Sequence, residues 1–223
     1  MRTCILGFVF LGLAAGQHNR LSPVEKTAGF VLLFDGHSSA GWAEITGDGF
    51  PAAAWKIEDG SLKTVAGLPG FQDIRTNGEY VDFELRFEWR VSKGGNSGVK
   101  YRLEKVDRWV AKDGRGYHAR ARGLEYQIVD DSLNAEARAD PKNTAGALYG
   151  KVAPTVAAAH PAGEWNDARI VVRGVRLEHW LNGVKVVDCD CAIATGAVKP
   201  TPISLQNHDS EAWFRDLRLR PLR

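Results

Sequence analysis

An all-β fold, a sandwich or a barrel of antiparallel strands, is predicted by three features of this sequence. Apolar and polar residues alternate with period two through most of the chain, turn-forming Gly, Asn and Asp recur between the alternating runs, and no long helical pattern is present.

Taken in order, the first clear pair of strands lies between Trp55 and Thr64, joined at Asp59-Gly60, a dipeptide suited to a tight hairpin turn. Tyr80 to Val91 alternates best. Val81, Phe83, Leu85, Phe87, Trp89 and Val91 fall on one face, and Glu84, Arg86, Glu88 and Arg90 on the other. Val99, Tyr101 and Leu103 continue the pattern, and Leu124, Tyr126 and Ile128 alternate with Glu125, Gln127 and Val129. Ile170 to Val187 reads as strands broken near Arg173-Gly174 and at Asn182-Gly183, again a hairpin signal. Ile203 to Leu219 adds two strands around Asp209-Ser210. Lys105 to Gly123 and Asp130 to Gly146 read as the longest irregular stretches, and loops of that length are often functional.

Before these strands, a basic start at Met1-Arg2, an apolar run from Ile5 to Ala15 and small residues at Ala14-Ala15-Gly16 follow the order of a secretory leader. The run is short for a bilayer span, which takes about 20 residues. The expected organisation is a signal peptide over 1–16, an extension over 17–29 and one domain over 30–223, exported to the periplasm or the extracellular space, with no membrane span. The net charge of +2 is interspersed, so the clustered basic face of a nucleic-acid binder is missing, and Arg108 to Arg122 reads as a solvated basic loop. Cys189 and Cys191 are too close in sequence for easy disulfide geometry and too few for a structural zinc site. They read as thiols, reduced or loosely oxidised, near a strand end.

Chemistry is expected on the polar faces of the strands. Glu88 and Arg90, Lys100 and Arg102, Glu125 and Gln127, and Gln206 and His208 would converge in one groove if their strands lie side by side in a curved sheet. Convergent donors and acceptors beside aromatic rings suit a polyol. The plainer reading is a solvated sheet face with cross-strand ion pairs. Gly95-Asn96-Ser97-Gly98 enters the strand that carries Lys100 and Arg102, and Asp130 falls at a strand end where it could turn either way. Of six histidines, His179 alternates with Leu177 and Leu181 and reads as core-facing, whereas His208 is the better acid–base candidate. Most of the seven tryptophans suit core packing; Trp109 is the candidate for a sugar-stacking platform. No dense His/Asp cluster, nucleophile elbow or phosphate loop is present.

The ordered motifs resemble one family. They are Leu33-Phe34-Asp35-Gly36 with Gly41-Trp42, Glu58-Asp59-Gly60, Tyr80-Val81-Asp82-Phe83-Glu84-Leu85, Glu88-Trp89-Arg90 and Asn96-Ser97-Gly98-Val99. They continue with Gly123-Leu124-Glu125-Tyr126-Gln127-Ile128, Gly146-Ala147-Leu148-Tyr149-Gly150, Gly163-Glu164-Trp165-Asn166, His179-Trp180-Leu181-Asn182-Gly183 and Leu205-Gln206-Asn207-His208. Together, from Phe30 to about Leu222, they resemble the 3-keto-disaccharide hydrolase family. That resemblance implies a two-sheet antiparallel jelly-roll sandwich, concanavalin A-like and laminin G-like. It also implies cleavage of glycosides already oxidised to a ketone at sugar carbon 3, by hydrolysis or β-elimination. The run from Lys105 to Arg122 looks private to this protein.

Under that resemblance, Glu125 or His208 is the expected base or acid, Glu88 a second carboxylate candidate, and Arg102 and Arg90 the groups that stabilise an enolate or position hydroxyls. Asn96, Lys100, Gln127, Gln206, Trp109 and Tyr149 complete the expected sugar site. A divalent metal ion held by Glu125, Asp130 and His208 is the alternative electrophile. Carbohydrate is the expected ligand, with a sugar oxidoreductase as partner. Two other classes stay open: a noncatalytic carbohydrate-binding module, and an accessory subunit of a sugar-oxidising system.

Overall fold

The computed structural model describes residues 18–191 and 198–222. The leader expected over 1–16 lies outside the described residues. The chain runs α1 (Pro23–Thr27), β1 (Val31–Leu32), β2 (Trp42–Glu44), β3 (Trp55–Glu58), β4 (Ser61–Thr64), β5 (Ile74–Thr76), β6 (Phe83–Val91), β7 (Asn96–Val110) and β8 (Tyr117–Val129). It continues through α2 (Ala135–Ala139), β9 (Asn166–Arg173), β10 (Arg176–Leu181), β11 (Val184–Cys189), β12 (Ser204–Leu205) and β13 (Ala212–Pro221). No helix among the described residues is long and apolar enough to cross a membrane.

Two antiparallel sheets pack face to face, the all-β sandwich expected. One follows the order β11-β10-β9-β6-β13-β4-β3, with β1 paired to β13; the other is β2-β5-β12-β7-β8. Period-two alternation creates the core. The inward residues Phe83, Leu85, Phe87 and Trp89 of β6 are buried against Val99 and Tyr101 of β7 and Tyr126 and Ile128 of β8. Edge-on ring pairs cross between the sheets, Phe83 with Tyr101 at 5.9 Å and Phe87 with Tyr126 at 5.7 Å. His179 is core-facing as expected: its Nε2 meets the Tyr101 hydroxyl at 2.6 Å, and burial pushes its pKa down to about 4. The two hairpin signals fold as read, with Asp59 and Gly60, and Asn182 and Gly183, all at the positive φ that such turns need.

Residues 18–29 dock on β13. Asn19 and Asp216 exchange backbone-to-side-chain hydrogen bonds, and Ser22 and Glu25 form a capping box at the start of α1.

Three expectations need correction. Lys105 to Gly123 is no irregular loop but the outer part of the β7–β8 hairpin, turning over 111–116. Arg108, Arg120 and Arg122 therefore lie on strands, with Lys112 and Arg115 in the turn. That hairpin folds back over its own sheet: Ala119 exchanges backbone hydrogen bonds with Phe71 and Asp73, just ahead of β5. Cys189 and Cys191 are joined in a disulfide. Finally, β6 belongs to the other sheet from β7, β8 and β12, so the polar faces read as one groove are split between two surfaces.

Candidate functional site

The outward face of the five-stranded sheet holds a cavity of about 260 Å³ lined by Asn96, Lys100, Glu104, Arg120, Arg122, Glu125, Gln127, Tyr149, Gln206 and His208, among others. Strand register explains the assembly. Lys100 on β7 lies directly opposite Glu125 on β8 and Ser204 on β12, while Gly98 lies opposite Gln127. Side chains two apart on one strand share a face, so Glu125 and Gln127 enter the groove together. Gly98 is a spatial requirement: a Cβ there would stand 2.2 Å from Glu125 Oε1. The Glu125 carboxylate lies over bare backbone, and a larger residue at 98 would push it from this position.

Beneath the groove, Asp73 is fully buried. Its carboxylate accepts from Lys100 Nζ at 3.0 Å, the Ala121 amide at 3.0 Å and the Asn207 amide at 3.1 Å. One side chain thus ties β7, the returning β8 hairpin and the segment after β12 together, and neutralises the site's buried lysine. Gln206, with its amide oxygen turned to the cations, accepts from Lys100 Nζ and from Arg120, each at 3.0 Å. Gln127 Nε2 donates to Asn96 Oδ1 at 3.3 Å, while its buried Oε1 has no partner. Glu125 makes no side-chain hydrogen bond or ion pair among the described residues. The 146–149 loop is zipped along the edge of β8, Tyr149 N–H donating to the Glu125 carbonyl, and this places the Tyr149 ring at the rim.

Burial raises the Glu125 carboxyl above the ordinary value, against the pull of Lys100. Burial also lowers His208 below 6.5, helped by the Arg120 charge. An acid lifted and a base lowered bring the two proton affinities toward each other, which suits proton transfer in both directions.

Seven expected site residues therefore meet in the cavity: Asn96, Lys100, Glu125, Gln127, Tyr149, Gln206 and His208. The other five do not. Glu88 and Arg90 sit on the outer face of the eight-stranded sheet, Glu88 paired with Arg215 at 2.7 Å and Arg90 over the rings of Trp165 and Trp213. Arg102 adopts a positive φ of 51° at an irregularity in the β7–β8 ladder. The kink breaks alternation with Lys100 and sends its guanidinium to Asp82 at 2.9 Å and to the Gly174 carbonyl. Asp130 turns away to bind the Gly94 amide and Ser132. The ligand set of Glu125, Asp130 and His208 is consequently not assembled. Trp109 lies on the hairpin and stacks on His118 at 4.8 Å, outside this cavity. Neither Arg120 nor Asp73 is singled out in the sequence reading. The alternation of Ala119-Arg120-Ala121-Arg122 was the available signal for Arg120; a lone Asp ahead of a three-residue strand offered none.

The fold is an all-β sandwich whose five-stranded sheet carries a polar groove, with Glu125 and His208 beside the cations Lys100 and Arg120. Residues 29–220 match the 3-keto-alpha-glucoside-1,2-lyase-like domain, and the chain belongs to that 3-keto-disaccharide hydrolase family. It is 27% identical to a 3-keto-disaccharide hydrolase of Bacteroides thetaiotaomicron, over 94% of this chain and 84% of that one. A crystal structure of a candidate glycosyl hydrolase from Parabacteroides distasonis superposes with a TM-score of 0.74 at 24% identity, covering 93% of this chain and 100% of the other. A second from the same organism gives 0.59 at 27% identity, with 81% and 99% covered.

Proposed function

We propose that this protein cleaves the glycosidic bond of 3-keto-glycosides by elimination across carbons 1 and 2, followed by hydration. The observation that carries the reading is the meeting of Glu125, His208, Lys100 and Arg120 around one cavity of about 260 Å³, a size for a single sugar ring.

A ketone at carbon 3 acidifies the hydrogen on carbon 2. Glu125 takes that proton, and the electron pair moves onto the carbonyl oxygen as an enolate. Lys100 and Arg120, held by Asp73 and Gln206, stabilise that charge from preset positions in the groove. When the carbonyl re-forms, the carbon 1–oxygen bond breaks and the departing oxygen takes a proton from His208. Water then adds across the new double bond, hydroxyl to carbon 1 and proton to carbon 2, and the net result is hydrolysis. Gln127 Oε1, buried without a partner, accepts from a sugar hydroxyl. No step passes through a metal ion. The substrate requires a prior oxidation, so a sugar oxidoreductase must supply it, and the leader-like N-terminus favours a setting outside the cytoplasm for both reactions.

The test is incubation with methyl and glucosyl 3-keto-glucosides, followed by mass spectrometry. Release of the alcohol together with 3-keto-glucose or its enone is the expected outcome. Saturable binding of these compounds without release would overturn the enzyme reading in favour of a carbohydrate-binding role.

A further inference from the structure

The cavity just described has a neighbour. A second space of about 390 Å³ is walled by Phe71, Gly94, Asn96, Asn134, Ala135, Glu136, His208, Asp209 and Ser210. Asn96 and His208 line both, so the two are adjoining compartments of one groove divided by His208. Their walls differ. The inner compartment is rich in charged and amide groups. The outer one has a partly exposed aromatic face in Phe71, stacked on His208 with ring centres 5.9 Å apart and 11° between planes.

The Phe71 ring packs against the returning hairpin. The Arg120 guanidinium lies 5.4 Å from its ring centre, and His118 meets it edge-on at 4.1 Å. Trp109 stacks on His118 in turn at 4.8 Å. The returning β7–β8 hairpin supplies His118, Arg120 and Trp109, and so builds the support of one wall. The polar lining of the same compartment comes from Asn134, which caps α2, and Glu136, which accepts from the Tyr149 hydroxyl at 3.3 Å.

We propose that the outer compartment is a leaving-group subsite for a ring with a flat apolar face and a hydroxylated rim. The inference rests on the proposed function. The inner compartment has room for the keto sugar alone, and His208 stands at the divide, where the bridging oxygen of a two-ring substrate must lie. The apolar face stacks on Phe71 and the hydroxyls face Asn134 and Glu136. A pyranose and a phenol both have this chemistry.

The experiment compares kcat/KM for 3-keto-glucosides with methyl, glucosyl and 4-hydroxyphenyl leaving groups, in the wild type and in Phe71→Leu, which keeps apolar bulk but removes the flat face. The readout is the ratio of each ring-bearing substrate to the methyl glycoside, which cancels general damage to the site. A five- to tenfold fall in that ratio on substitution is expected, the scale of one aromatic contact. A fall for glucosyl alone identifies a sugar, and a fall for hydroxyphenyl alone a phenol. An unchanged ratio for both overturns the subsite. If no substrate is cleaved, the proposed function fails instead, and saturation-transfer NMR with glucose and hydroquinone decides the subsite. A transfer signal that is present in the wild type and disappears in Phe71→Leu upholds it; equal or absent signal in the two proteins rejects it.

Discussion

The outer face of the eight-stranded sheet and the groove face of the five-stranded sheet both alternate charged and hydrogen-bonding side chains, yet they settle those groups differently. On the outer face each named charge has a partner. Glu84, almost fully buried, is gripped by Arg86, Arg169 and Arg220, Glu88 pairs with Arg215, and Arg90 lies between two tryptophan rings. In the groove, Lys100 is neutralised from below by Asp73, while Glu125 and the Gln127 carbonyl face the cavity with no protein partner. The outer face is not free of unmatched atoms, since Arg90 Nε and Arg169 Nε have no hydrogen-bond partner, but each carboxylate named there meets a cation, whereas the groove leaves the Glu125 carboxylate without a hydrogen bond or ion pair among the described residues.

The largest expected effect comes from changing one carboxylate on each face. Glu125→Gln should lower kcat by about 10³-fold or more, as loss of a general base does, with the circular dichroism spectrum unchanged. Its effect on stability should have the opposite sign to that of Glu84→Gln. Burial raises the Glu125 carboxyl in the folded state, so the stability it contributes is present below the ordinary value of 4.5 and is lost as pH rises through the folded value. Glu125→Gln should therefore raise Tm at pH 7, and the gain should vanish below pH 4.5. Burial also works to raise Glu84, but hydrogen bonds from Arg220 and Arg86 outweigh it and the net shift is downward. Its contribution is present above 4.5 and lost as pH falls through the folded value, so Glu84→Gln should lower Tm at pH 7. Melting curves of both variants from pH 4 to 8 check the signs. A Tm fall in both variants at pH 7 would erase the distinction between the faces.

Asp73 gives the next largest effect. Asp73→Asn leaves the buried Lys100 cation without its counter-charge, a loss of about 3–5 kcal/mol for a buried pair, or roughly 10 °C in Tm for a domain of this size. Asp73 acts through Lys100 and the two amides it holds, so it is a positioning residue. Kinetics at a temperature where the variant is fully folded separate the roles: kcat should fall at least tenfold with KM changed less. A lower Tm with wild-type kcat would reduce Asp73 to a structural tie.

Much of this was legible in the sequence, and what was not has physical causes. Alternation reported which side chains share a face of one strand, and it placed Glu125 with Gln127 and Gln206 with His208 correctly. It carries no information on which sheet a strand joins. Glu88 and Arg90 therefore went to the wrong surface, because β6 pairs with β9 and β13 rather than with β7. Arg102 shows a second failure: a single residue at positive φ resets the alternation beyond it. The hairpin over 105–123 escaped because its β7 arm is mostly exposed and lacks an apolar period, while its β8 arm alternates only with the small side chains of Ala119 and Ala121. Asp73 escaped because its role exists only where three distant segments meet.

The smallest expected effect tests the outer face by itself. Glu88 was a reasonable catalytic carboxylate on sequence, in a Glu88-Trp89-Arg90 motif one strand away from the groove strands. Its side chain instead meets Arg215 on a surface that the whole sandwich core separates from Lys100 and Glu125. A partly exposed pair of this kind contributes about 0.2–1 kcal/mol. Glu88→Gln should shift Tm by no more than about 3 °C and keep kcat/KM within twofold of wild type for every 3-keto-glucoside. A loss approaching that of Glu125→Gln, without unfolding, would place chemistry on the closed face and dissolve the contrast between the two sheets.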